Sequence, residues 1–120
     1  MKNYTFEKDE TGKITNIFVD GKPVKRCSMR GFRKAQETTY FRLYDKDCLA
    51  TNQFSGVTVC LNGLEATIYA FCMKWYMRFD FNVIVDKMNL KNTETSLQTY
   101  DDMKYFLLEI NPQAYMDLID

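Results

Sequence analysis

The chain contains no histidine, which removes the usual general base, the usual activator of a nucleophile and the commonest metal ligand together. Any enzyme chemistry falls to carboxylates, lysines or a lone thiol. Glycine and proline are scarce, five and two in 120 residues, and they form neither a linker nor a repeat. No glycine-rich run precedes Lys and Ser/Thr, so phosphate-loop and dinucleotide signatures are missing, and there is no serine elbow. The longest uncharged apolar stretch near the middle, Ala66 to Met73, falls well short of the roughly 18 residues a membrane helix needs. The segment Met1 to Glu7 has no apolar signal core, so a cytoplasmic protein with no membrane partner is expected and the Asn3 sequon carries no weight.

The four cysteines, Cys27, Cys48, Cys60 and Cys72, include no close pair of the kind that seeds a zinc site or a redox dithiol. Reduced thiols are the expectation, with no metal and no cofactor. Charge of one overall sign is also lacking, since 16 basic residues balance 16 acidic ones. Hydrophobic residues at 46% and aromatics at 15% nevertheless exclude a disordered chain and predict one aromatic-rich domain over residues 1–120.

Strand patterns come first, over residues 1–62. Tyr4 and Phe6 alternate with polar neighbours, turn residues follow at Glu10 to Lys13, and Ile14 to Val19 completes a hairpin. Asp20-Gly21 suits a tight primed turn, and Lys22-Pro23-Val24 begins a returning edge strand. Thr38 to Tyr44 and Val57 to Asn62 alternate as further strands. The expected fold class is α+β, with an antiparallel sheet of four or five strands built from the N-terminal two-thirds.

Helices follow. Asn62 and Glu65 have the spacing of a capping box before a central helix over 63–79. Leu64, Ile68, Phe71, Cys72, Trp75 and Phe79 share one stripe of it, predicted to lie on the sheet. A second stripe holds Tyr69, Met73, Tyr76 and Met77, leaving Thr67, Lys74 and Arg78 as a polar edge. Residues 80–96 read as a variable stretch that hides a short strand at Val83 to Val85. C-terminal helices are expected over 97–119, with Thr99 as a cap, Asp101 and Asp102 in the first turn, Tyr100, Met103, Phe106, Leu107 and Ile110 as an apolar stripe, and Pro112 restarting the pattern.

The balanced charge hides an asymmetry, with the basic excess between Lys22 and Arg42. Lys25, Arg26, Arg30, Arg33, Lys34 and Arg42, interleaved with Phe32, Tyr40 and Phe41, supply cations for phosphates and aromatic faces for bases. They are the candidate nucleic-acid-binding set. The bland alternative is a solvated face, partly paired with the acidic C-terminal half. Tyr69, Met73, Tyr76 and Met77 with Asp101 and Asp102 form the candidate protein-binding set, since Tyr and Met suit adaptable interfaces. Core packing under the terminal helices competes with that reading, and a homodimer seam is a further alternative. Cys27 lies near Lys25, Arg26 and Arg30, but no base stands beside it to support catalysis.

Gly56 to Phe79, and the run YDDMKYFLLEINPQAY over Tyr100 to Tyr115, resemble the small accessory proteins of bacteriophage genomes in pattern. The two stretches make up a third of the chain, and the resemblance transfers no site residue. It implies a protein that occupies a host protein or nucleoprotein complex, such as an inhibitor of a CRISPR nuclease or another nucleic-acid-targeting defence. The sequence as a whole predicts a non-enzymatic protein-interaction module, with a nucleic-acid-binding module as the alternative.

Overall fold

The computed structural model describes residues 3–38, 41–86 and 90–119, excepting the side chains of 76–86 and 90–96. It is α+β, with four helices and two small antiparallel sheets among the described residues. The first sheet forms where the sequence predicts it. β1 (Tyr4–Lys8) pairs antiparallel with β2 (Ile14–Val19), placing Phe6 opposite Ile17. Asp9 closes their turn by accepting from the amides of Thr11 and Lys13 at 2.9 and 3.1 Å. Asp20 and Gly21 then both take positive φ, 52° and 80°, as a type I′ turn requires, and β3 (Lys22–Pro23) returns along β2. Pro23 sits on the sheet's edge, where its missing donor leaves no ladder bond unmade.

The chain then departs from expectation. Helix α1 (Arg26–Ala35) occupies the basic segment, and it separates the first sheet from a second, two-stranded one made by β4 (Cys48–Thr51) and β5 (Thr58–Leu61). A single sheet of four or five strands is therefore corrected to sheets of three and two. The strand expected at Thr38 to Tyr44 is likewise absent from its described residues. Phe41 and Tyr44 turn toward the core while Arg42 and Leu43 face solvent, a three-residue spacing rather than the two-residue alternation of a strand. The Tyr44 amide donates to Thr67 Oγ1 at 2.9 Å instead of to a ladder partner.

Helix α2 (Gly63–Asp86) starts on the predicted capping box. The Glu65 amide donates to Asn62 Oδ1 at 2.8 Å, and the Asn62 amide donates back to Glu65 Oε1 at 2.9 Å. The helix runs past residue 79 and takes in Val83 to Val85, so the hidden strand is helical. Leu64, Ile68, Phe71, Cys72 and Trp75 are buried as predicted; the Phe79 side chain lies outside the described residues. That stripe packs mainly on α3 (Leu90–Ile110) rather than across a sheet. Thr67 is no polar edge: it is buried, and its hydroxyl donates to the Gly63 carbonyl at 2.7 Å.

Because α3 begins at Leu90, Thr99 is a buried mid-helix residue, and Asp101 and Asp102 lie in the helix interior rather than its first turn. Met103, Phe106, Leu107 and Ile110 form the predicted apolar stripe. α4 (Pro112–Leu118) restarts with proline at its head, capped by Asn111, whose Oδ1 accepts from the Ala114 amide at 3.1 Å. Asn111 Nδ2 also donates to Glu65 Oε2 at 2.9 Å, so one buried carboxylate starts α2 and ties it to α4.

The helices meet on α3, against which α1, α2 and α4 all pack. Phe32 of α1 is the aromatic hub, edge-on to Phe41 at 5.2 Å and to Phe106 at 6.0 Å between centroids. Trp75 stacks on Tyr100 at 4.6 Å where α2 meets α3. Gly31 lets α1 approach closely. A Cβ there would collide with Cβ of Asp102 and reach within 3.2 Å of backbone atoms of Asp102 and Met103.

Candidate functional site

Helix α1 divides cleanly into two faces. Ser28, Met29, Gly31, Phe32 and Ala35 are buried, while Arg26, Cys27, Arg30, Arg33 and Lys34 are exposed. The arginines fall at i, i+4 and i+7, one stripe about 10 Å long at 1.5 Å per residue. Lys25 stands exposed at the helix head. Arg33 and Lys34 in the last turn also complement the helix dipole, a structural use that leaves their outward charge available.

What anchors this helix comes from far along the chain. Lys25 makes no side-chain cap. Glu109 of α3 supplies one instead, accepting from the Lys25 amide at 3.0 Å through Oε2 and from the Ser28 hydroxyl at 2.6 Å through Oε1. One turn along the interface, Arg30 donates from Nε and Nη2 to Asp102 at 2.8 and 2.9 Å. This fork leaves the Arg30 side chain 51% exposed and that of Asp102 11% exposed. The hydrogen bond to Asp102, followed by that carboxylate's charge, raises the Arg30 pKa further.

The pairing joins residues that the sequence assigned to different surfaces. Asp102 is buried in this ion pair and offers no free carboxylate to a partner. Asp101 remains half-exposed with Lys104 Nζ at 3.9 Å. Tyr69 and Met73 lie half-buried on α2, and burial, with a smaller effect from Cys72, pushes the Tyr69 phenol up. Tyr76 and Met77 are on the helical part of α2, but their side chains lie outside the described residues.

The basic set is better assembled. Arg26, Arg30 and Arg33 all line one cleft of about 580 Å³ between α1 and the β2–β3 edge. Ile17, Pro23 and Val24 give it an apolar wall, with Met29 beneath. Among the described residues no carboxylate lies within salt-bridge distance of Arg26, Arg33 or Lys25. Lys34 shares Glu37 with Lys13, at 4.0 and 2.9 Å. Arg42 stands apart, its guanidinium 5.4 Å from the Tyr44 ring centroid, and Tyr40 lies outside the described residues. Phe32 is core rather than a stacking platform, and Phe41 packs edge-on against it.

The thiols divide by burial: Cys27 and Cys60 are exposed, Cys48 is half-buried, and Cys72 is buried with its thiol pushed far above the ordinary range. No cluster of metal-ligating side chains occurs among the described residues. Among those residues no helix is long and apolar enough to cross a membrane. A second exposed feature escaped the sequence reading. The β4–β5 hairpin presents Leu49 at 76% and Phe54 at 99% exposure, with Val57 beside them. The cleft itself was detectable in principle, because the i, i+4, i+7 arginines alternate with apolar Met29, Phe32 and Ala35 at helical spacing.

Comparison of the chain with family models, with curated proteins and with solved structures returned no match.

Proposed function

We propose that this chain is a non-enzymatic binding protein that grips the phosphate backbone of nucleic acid through the exposed face of α1. The observation that carries this is three arginines at i, i+4 and i+7 in one cleft, two of them without a carboxylate partner among the described residues. Arginine forks match phosphate oxygens bidentately and remain charged at any relevant pH. Recognition rests on phosphate rather than base, because the nearby aromatics Phe32 and Phe41 serve the core. Free exposed thiols at Cys27 and Cys60 are in keeping with a reducing, cytoplasmic compartment.

The test is fluorescence anisotropy of a labelled mixed-sequence oligonucleotide. Arg26→Ala and Arg33→Ala together should weaken binding by about tenfold or more, with the thermal midpoint little changed because both side chains are exposed. Binding that survives this double substitution sinks the assignment. The protein-interaction reading, including a phage-type inhibitor of a host defence protein, keeps one specific support. Leu49, Phe54 and Val57 give the β4–β5 hairpin an exposed apolar surface suited to a protein pocket. Phe54→Ala should abolish capture of such a partner while leaving oligonucleotide binding intact.

A further inference from the structure

We infer that the cleft between α1 and the β2–β3 edge is a pocket for a nucleoside phosphomonoester, whether a free nucleotide or the phosphorylated end of a strand. It rests on the proposed phosphate-binding role of α1 and goes further by naming the group the cleft encloses. Size comes first. A volume of about 580 Å³ falls inside the roughly 300–1,000 Å³ typical of small-ligand sites. A lone phosphate needs far less room.

Charge selects the phosphate ester. The cleft holds Arg26, Arg30 and Arg33, and Asp102 neutralises Arg30, which leaves a net charge of two positive units. A phosphomonoester near neutral pH carries about −1.5 to −2, close to that excess. An internal phosphodiester carries a single negative charge and leaves one guanidinium uncompensated. Geometry favours the same ligand: Asp102 engages Nε and Nη2 of Arg30, which fixes its guanidinium while leaving Nη1 free to donate. Arg26 and Arg33 flank it, about 6 and 4.5 Å away along the helix axis, so three cationic side chains line the cleft from one rigid element.

The opposite wall is apolar. Exposed Pro23 and half-buried Val24, backed by the buried Ile17 and Met29, offer an apolar surface on which a sugar and base can lie while the phosphate faces the arginines. Such a wall discriminates between nucleotide and inorganic phosphate, and the arginines discriminate between nucleotide and nucleoside.

The experiment uses the full chain and isothermal titration with AMP, adenosine and inorganic phosphate, alongside anisotropy with one oligonucleotide carrying either a 5′-phosphate or a 5′-hydroxyl. AMP should bind, adenosine and inorganic phosphate should bind at least about tenfold more weakly, and the 5′-phosphorylated strand should outcompete its 5′-hydroxyl twin. Arg26→Ala and Arg33→Ala should each lower AMP affinity by about tenfold. Cys27→Trp, at an exposed position on the cleft wall, fills the space with all three arginines retained and should also weaken AMP. AMP binding with no preference for the 5′-phosphorylated strand assigns the site to free nucleotides; the reverse assigns it to strand ends. Equal affinity for both strands with no AMP binding overturns the pocket but spares the backbone-binding function. Loss of all phosphate binding overturns both. AMP binding indifferent to Cys27→Trp, or matched by inorganic phosphate, also overturns the pocket.

Discussion

Replacing Gly31 by alanine should destabilise this protein, although alanine is the better helix former. Gly31 lies inside α1 with ordinary helical geometry, so propensity alone predicts a gain of about 1 kcal/mol. The structure opposes that gain. An added Cβ would collide with Cβ of Asp102 and press to 3.2 Å on the Asp102 carbonyl carbon and the Met103 nitrogen. Two of those three neighbours are backbone of α3 and cannot swing aside as a flexible side chain would. Overpacking a tight contact costs about 1–3 kcal/mol, and a backbone obstacle puts this site near the upper figure. The net expectation is a loss of about 2 kcal/mol after the propensity gain is subtracted. For a chain of this size that lowers the thermal midpoint by about 6–10 °C. Calorimetric or circular-dichroism melting of Gly31→Ala beside wild type reads it directly. A midpoint unchanged or raised would refute the close α1–α3 crossing, and with it the seating of the arginine face.

Other consequences follow from the same contacts. Glu109→Ala removes the carboxylate that caps α1 and leaves the buried Ser28 hydroxyl without its acceptor. A loss of about 2 kcal/mol is expected, with faster hydrogen exchange in the first turn of α1; unchanged exchange there would contradict the long-range cap. Asp9 is held below its ordinary 3.8, chiefly by the Thr11 hydroxyl, and Glu37 below its ordinary 4.5, chiefly by Lys13. Both folded values are depressed, so their stabilisation is present above those ordinary values and lost as pH falls through the folded ones. Asp9→Asn and Glu37→Gln should each flatten the acid side of a urea-midpoint profile below about pH 4.5; a profile identical to wild type would count against those bonds. Thiol-reactive dye at neutral pH should label Cys27 and Cys60 quickly and Cys72 only on unfolding, since burial disfavours the Cys72 thiolate. Rapid labelling of all four would mean α2 is not packed as described.

What could be read from the sequence was local. The capping box Asn62–Glu65, the Asp20-Gly21 turn, the α3 stripe from Met103 to Ile110 and the Asn111-Pro112 restart each link residues no more than four positions from the next, and all took the expected form. Helix α1 carries a periodic signal in Met29, Phe32 and Ala35 but no start signal, because its N-terminus has no local cap: the acceptor is Glu109, 84 positions from Lys25. Without that helix, the basic residues read only as an aromatic-interleaved charged segment, and the sheet as continuous. Charge pairing was equally non-local. Asp102 and Arg30 stand 72 positions apart, so each looked free for a different partner. Two further errors share a cause. Thr67 and Thr99 resemble surface or cap residues by type, yet tertiary packing buries both, and side-chain hydroxyls tolerate this when bonded, as Thr67 is to Gly63.

The central claim is that Arg26 and Arg33, with Arg30 between them, hold phosphate. It is tested most directly by the salt dependence of oligonucleotide affinity. Two uncompensated guanidiniums, Arg26 and Arg33, on a single strand give a log–log slope of about −1.4, and Arg26→Ala with Arg33→Ala should bring it close to zero. A slope near zero in the wild type, or one that the double substitution leaves unchanged, would contradict the claim.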